Sequence, residues 1–181
     1  MKFCSNCGHS PLSFRCPEGD NFKRLICDNC QTIHYQNPKI VCGAIVLWEN
    51  KVLLCRRAIE PRIGKWNLPA GYMENNETLK QAAEREVREE ANAQITLQKL
   101  HTVFNILHVN QVYFLFLATL NEPVFSNGIE TLETRLFDLK DIPWDDLAFH
   151  SNVFALQQYI KNPKAIDVHH ADSLSFTKSP N

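Results

Sequence analysis

Beyond residue 38 the alternation of apolar and polar positions breaks the chain into short strand-like runs, with one amphipathic helix among them. Residues 40–48 and 52–57 are β-branched or apolar runs separated by Glu49-Asn50-Lys51, which reads as two strands joined by a turn. Residues 61–71 form a loop punctuated by Pro61, Gly64, Pro69 and Gly71. A helix is expected over 76–91. Strand-like stretches follow at 93–100, 102–108 and 111–120, then a strand at 134–138 and a second helix at 151–161. No periodicity remains after Pro163, and residues 166–181 are expected to form a loosely ordered tail. A mixed sheet with few helices is the α+β pattern, and no internal repeat is present.

The first helix is where the pattern turns into chemistry. Asn76 suits an N-cap, and Glu77 in the first turn would complement the positive end of the helix dipole. Wound at about 100° per residue, one stripe holds Leu79, Ala82, Ala83, Glu86 and Glu90, with Glu89 at its flank. The opposite face holds Lys80, Gln81, Glu84 and Arg88, whose i,i+4 charge pairs suit water. Ordinary surface glutamates would sit on that second face. Glu86, Glu89 and Glu90 instead prolong the inward stripe, where they repel one another and lose hydration. A hard divalent cation that takes oxygen ligands relieves both costs.

The segment before Pro38 follows a different logic. Cys4 and Cys7, then nineteen residues, then Cys27 and Cys30 give two C-x2-C knuckles at the spacing of a zinc site. Four thiolates close a tetrahedral shell, so the metal would be structural, and His9, His34 and Cys16 are not needed in it. A module of this size buries too little apolar area to fold alone, and zinc binding would supply the difference. A redox pair of C-x2-C motifs is the weaker alternative. Tyr35-Gln36-Asn37-Pro38-Lys39 reads as a polar hinge, which sets the expected domains at 1–35 and 36–165.

Composition narrows the partners. The chain is 44% hydrophobic and 22% charged with a formal net charge of −1, which argues against nucleic acid as a bulk electrostatic partner. Its longest apolar run, residues 112–120, is strand-length and too short to span a bilayer. The opening residues lack the apolar core of a secretory leader, and the cysteine usage suits a reducing cytosol, so a cytoplasmic protein is expected.

Gly71, five residues, Glu77, seven residues, then Arg85-Glu86-Val87-Arg88-Glu89-Glu90 resembles the Nudix box, G-x5-E-x7-R-E-U-x-E-E-x-G-U. The chain departs from it at Asn92 and Ala93, where the box has Gly and an aliphatic residue. Asn92 can still end the helix in a left-handed conformation. The four-cysteine ribbon, the Tyr35–Lys39 hinge and the late stretches 128–137, 142–144 and 147–149 are similar to a zinc-ribbon subgroup of the family that includes ADP-ribose and FAD pyrophosphatases. A motif of the NADH-pyrophosphatase branch, S-Q-P-W-P-F-P-x-S, is missing.

The resemblance implies an α/β/α sandwich with a mixed sheet behind a zinc ribbon. It also implies hydrolysis of a nucleoside diphosphate linked to a second moiety, with Mg²⁺ or Mn²⁺. Carried over by position, Glu86 and Glu90 are the principal metal ligands, Glu89 is a third ligand or the base, and the Gly71 carbonyl completes the shell. Glu77 would pair with Arg85 and brace the loop–helix junction. Family members commonly dimerise, so a homodimer is expected.

For the proton of the attacking water, Glu133 stands beside Glu89 as the candidate base, and Glu130 is its neighbour on the same late segment. Arg56 and Arg57 end a strand, and alternation sends one of them toward a phosphate. Trp66 either lies against the base or packs in the core, the second being the default for a large aromatic. Two other functions compete: a nucleoside triphosphate pyrophosphohydrolase, and a non-catalytic nucleotide sensor that binds RNA through the ribbon. The complete set of inward charges disfavours the sensor.

Overall fold

The computed structural model describes residues 1–176. The chain divides into two compact units, Met1–Asn37 and Pro38–Asn181, and the division falls inside the Tyr35–Lys39 hinge. In the first unit, β1 (Ser13–Arg15), β2 (Arg24–Ile26) and β3 (Ile33–His34) form a small antiparallel sheet in chain order. Its buried residues are Cys4, Pro17, Ile26 and Cys27, and a core this small has few apolar contacts to spend on stability.

The second unit runs β4 (Lys39–Trp48), β5 (Lys51–Arg57), β6 (Trp66–Asn67), β7 (Ala70–Tyr72), α1 (Leu79–Ala91), β8 (Ile95–Ile106), β9 (Gln111–Leu120), β10 (Thr131–Asp138), α2 (His150–Lys161) and β11 (His169–Asp172). The main sheet has the order β10-β5-β4-β9-β8-β11, with β6 on β5 and β7 on β4. It is mixed: β4 and β9 are parallel, as are β8 and β11, and the other pairs are antiparallel.

Alternation along β4 and β5 sorts the core into two layers. Cys42, Ala44 and Val46, with Leu53 and Cys55, face Ala82, Ala83 and Val87 of α1. Ile45, Leu47, Val52 and Leu54 face Val153, Ala155 and Leu156 of α2. The sheet thus lies between two helices in an α/β/α sandwich. Each such buried aliphatic side chain contributes about 1.5–3 kcal/mol. No helix among the described residues is long and apolar enough to cross a membrane.

Three elements differ from the sequence pattern. Helix α1 starts at Leu79 with Thr78 as N-cap, because Thr78 and Gln81 form a reciprocal capping box. Asn76 is left-handed in the preceding turn (φ 68°), and Glu77 stands ahead of the cap, so neither plays its expected part at the helix start. The stretches 93–100 and 102–108 are one strand, β8, whose pairing with β9 is irregular between Leu97 and Thr102. Within the expected tail, His169–Asp172 pairs in parallel with Thr102–Asn105 of β8. Backbone pairing at an otherwise open edge drives this strand, and His-His-Ala-Asp carries no apolar alternation to announce it. Residues 177–181 of that expected tail lie outside the described residues.

His101 links β8 to α2. It is 1% exposed, and its Nε2 lies 3.1 Å from the Ala155 carbonyl, with His169 and Lys99 as its charged neighbours. Burial lowers its pKa from 6.5 to about 4, so the neutral ring is the folded form. A histidine depressed in the folded state stabilises fully above about pH 6.5, and that contribution is lost as the pH falls toward 4. The loss is about 3 kcal/mol at most. Urea unfolding between pH 7 and 4 should therefore show a shallower acid decline for His101→Gln than for the native chain, and parallel curves would refute this.

Candidate active site

Strands β4 and β5 pair only at Leu47↔Val52 and Trp48↔Lys51. Beyond those rungs they splay, β4 taking β7 and β5 taking β6. The gap lets one large cavity, about 1560 Å³, reach from the α1 face to the α2 face of the sheet. Gly71, Glu86, Glu89, Glu90, Arg57 and Glu130 line its acidic end. Val41, Phe104, Tyr113 and Val153 line the apolar end, with Phe149 beside them.

The acidic end is built on the turn from β7 into α1. Arg85 is its hub, donating to Glu77 through Nε (2.6 Å) and Nη2 (3.0 Å), to Glu86 (2.7 Å) and Glu89 (2.9 Å) through Nη1, and to the Tyr72 carbonyl (2.9 Å). Glu77 also accepts from the Glu74 N–H at 3.0 Å, which fastens the turn. Those bonds hold the Glu77 carboxyl below its usual pKa, the Arg85 bond foremost. A methyl group on Gly71 would stand 2.4 Å from the Glu86 carboxylate, so any larger residue here would push that acid from its place against the backbone.

Glu86 is 8% exposed, and burial raises its pKa against the opposing pull of Arg85. Burial, then the Glu86 charge, pushes Glu90 up to about 8, with Glu130 adding to the rise and Arg57 opposing it. Two desolvated carboxylates beside a third are an electrostatic deficit that a divalent cation removes. Every donor is a hard oxygen, so the set fits Mg²⁺ or Mn²⁺ and not a thiophilic metal.

Glu130 arrives on a loop that docks on the end of α1. Asn92 caps the helix in the left-handed conformation (φ 47°), and its Nδ2 donates to the Asn127 carbonyl. The Ser126 and Gly128 N–H groups donate to the Ala91 and Glu90 carbonyls. A methyl group on Gly128 would fall 1.8 Å from the Glu89 carbonyl oxygen, so this docking needs a glycine. The Asn92 departure from the box therefore anchors a loop as well as ending the helix.

Several sequence-derived positions separate here. Arg57 lines the cavity, its guanidinium stacked 5.2 Å over the Phe149 ring and braced on the Pro61 carbonyl. Arg56 points elsewhere, donating to the Gly64 carbonyl and pairing with Glu133 at 3.8 Å. Glu133 does not line the cavity and is held by Arg56 and Arg135, because it pairs with Arg56 across β10 and β5. Glu130, earlier on the same segment, is the late acid that reaches the lining. Trp66 is 6% exposed and packs edge-on against Phe137 at 4.8 Å, so it is a core residue, not a base platform. Of the aromatic residues in the strands, Phe104 and Tyr113 line the cavity, which alternation alone does not single out from Phe114 and Phe116. Phe149, in the late 147–149 stretch, joins them, and Ser173 and His150 line the cavity without any signal in the sequence.

In the N-terminal unit the sulfurs of Cys4, Cys7, Cys27 and Cys30 lie within 4.8 Å of one another. The Asn6 N–H points to the Cys4 sulfur at 3.4 Å and the Cys30 N–H to the Cys27 sulfur at 3.5 Å, the backbone support that thiolates need. Burial pushes the Cys27 thiol up to about 11, while the Thr32 hydroxyl and then its N–H draw Cys30 down to about 5. A Zn²⁺ ion would hold all four as thiolates.

A model of the NUDIX domain matches residues 38–157, about two thirds of the chain, and a Nudix N-terminal zinc-ribbon model matches residues 2–36. The chain belongs to the Nudix family. A crystal structure of a NUDIX hydrolase from Nitrosomonas europaea superposes with a TM-score of 0.90 at 51% identity, over 95% of this chain and 98% of that one. The chain is 31% identical over 103 residues to the NAD-capped RNA hydrolase NudC of Vibrio vulnificus, covering 53% of this chain and 34% of that protein. It is 29% identical over 115 residues to the ADP-ribose pyrophosphatase of Methanocaldococcus jannaschii, covering 60% of this chain and 67% of that one. It spans half or less of the NudC relatives' length. The Nudix helix of this chain is therefore α1 with its preceding turn.

Proposed function

We propose that this chain hydrolyses the diphosphate linkage of a nucleoside diphosphate joined to a second moiety, with ADP-ribose and NAD-like dinucleotides first and FAD next. The reading rests chiefly on the buried Glu86 and the half-buried, desolvated Glu90 at one end of a cavity whose other end is apolar and aromatic. Relatives named for ADP-ribose and NAD-capped RNA support the substrate class.

Glu86, Glu89, Glu90 and the Gly71 carbonyl would hold Mg²⁺ or Mn²⁺, which when bound neutralises phosphate oxygens and makes water a stronger nucleophile. Arg57 faces the same space and supplies a charged donor to a phosphate oxygen. Arg85 keeps Glu86 and Glu89 aligned. Glu89, with 54% of its side chain exposed, or Glu130 accepts the proton as water attacks phosphorus. The ribbon is a zinc-stabilised module, and the free thiols suit a reducing cytoplasm.

The test is a panel of ADP-ribose, NAD, FAD and nucleoside triphosphates with Mg²⁺ and Mn²⁺, with products identified. Preference for triphosphates would overturn the reading. Within the panel, Glu130→Gln should lower kcat by about 10²-fold, as expected for loss of a general base. Glu133→Gln should leave kcat nearly unchanged, since its carboxylate binds Arg56 and Arg135. The reverse ranking would restore Glu133 to the site.

A further inference from the structure

The apolar arm of the cavity has a floor and an end. Tyr72 on β7, Val41 on β4, Tyr113 on β9, Phe104 on β8 and Ala171 on β11 are successive partners in one register row and share a face of the sheet. Val41, Tyr113 and Phe104 line the cavity. The row stops at β11, three strand spacings from β4, on the order of 14 Å. That length suits one nucleoside beyond the phosphates. β11 also lies outside the 38–157 stretch that the domain model matches.

A built turn comes directly after β11. The Asp172 carboxylate accepts from the Leu174 and Ser175 N–H groups, both at 2.8 Å, and the Asp172 carbonyl accepts from the Phe176 N–H at 3.0 Å. The Ser173 N–H donates to the Asn105 carbonyl at 2.8 Å, and its hydroxyl accepts from the Leu107 N–H at 3.2 Å. These bonds tie the turn to the end of β8. They deliver the Phe176 ring onto Phe104 and Phe154, with centroids 5.9 and 5.3 Å away, and toward His150 at 6.4 Å. Ser173 and His150 themselves line the cavity. Residues 169–176 therefore bridge β8 to the start of α2 across the end of the floor.

We propose that this strap is the end wall of the nucleoside arm, so that the arm accepts a single terminal nucleoside of the substrate. Substrates whose nucleoside continues through a 3′-phosphodiester, as in a capped RNA, are excluded. This rests on the reading that the cavity holds a nucleoside diphosphate. An extended substrate would have to lift Phe176 off Phe104 and Phe154 and break both Ser173 bonds.

The test compares kcat/KM for NAD with that for an NAD-capped oligonucleotide, in the native chain and in full-length Asp172→Ala/Phe176→Ala. The native chain should prefer the unextended dinucleotide by about 10²-fold or more, and the variant should cut that preference at least about 10-fold through gain on the capped substrate. Equal native use of both substrates, or an unchanged ratio in a folded variant, overturns the wall. If the double variant unfolds, Ser173→Tyr decides, since it thickens the wall: KM for NAD should rise about 10-fold with kcat kept, and an unchanged KM overturns the proposal. Should the native chain cleave neither substrate, the catalytic reading is at fault. The wall is then judged by calorimetric binding of the same two ligands, with the same expected preference.

Discussion

Glu90→Gln lowers kcat for ADP-ribose by about 10³-fold or more without unfolding the protein. Loss of a principal ligand forfeits several kcal/mol of transition-state charge stabilisation, and each 1.4 kcal/mol is worth about tenfold in rate. The same substitution relieves the metal-free fold. Burial holds Glu90 at about 8, well above its ordinary value of 4.5. A carboxyl raised in the folded state stabilises fully below pH 4.5, and that contribution is lost as the pH rises through 8. Glutamine carries no such penalty. In the presence of EDTA at pH 8, the variant should therefore melt no lower than the native chain, whereas added Mg²⁺ should raise the native melting temperature more than the variant's. A variant that loses activity only because it unfolds would show the opposite pattern.

Cys27→Ser unfolds the N-terminal unit and leaves the chemical step alone. Met1–Asn37 has a core of a few residues, below the size at which apolar burial alone sustains a fold. Structural zinc sites contribute about 10–16 kcal/mol in comparable small modules at neutral pH. A three-thiolate remnant loses most of this, so zinc should leave during purification and trypsin should cut among Lys23, Arg24 and Arg15 while sparing the second unit. The carboxylates and Arg57 all belong to Pro38–Asn181, so single-turnover cleavage by the variant should stay within about threefold of native. That is the scatter expected for a change acting only on a separate unit. A collapse of the single-turnover rate would mean the ribbon shapes the chemistry.

How much of this was written in the sequence depends on whether the information was local. The inward stripe of α1 was, because 3.6-residue periodicity and the Glu86/Glu90 spacing depend on neighbours along the chain. The two C-x2-C knuckles were local for the same reason. Arg56 and Arg57 were ambiguous because alternation fixes that two neighbours diverge, not which one meets the cavity. The pairing of β10 with β5 puts Glu133 against Arg56, while Arg57, opposite Thr131, turns its guanidinium to the cavity over Phe149. Glu130 reached the acids through a loop that caps α1 by backbone contacts at Gly128, which no pattern of side chains reveals. β11 was invisible because an edge strand is held by main-chain bonds to β8.

The most direct measurement is cleavage of ADP-ribose by the full chain with Mg²⁺ in ¹⁸O-enriched water, followed by mass analysis of the products. AMP and ribose 5-phosphate are expected, with one ¹⁸O atom in one of the two phosphates and no cleavage by Glu90→Gln. Intact ADP-ribose after prolonged incubation with the native chain, or undiminished cleavage by Glu90→Gln, would contradict the assigned reaction and its metal site.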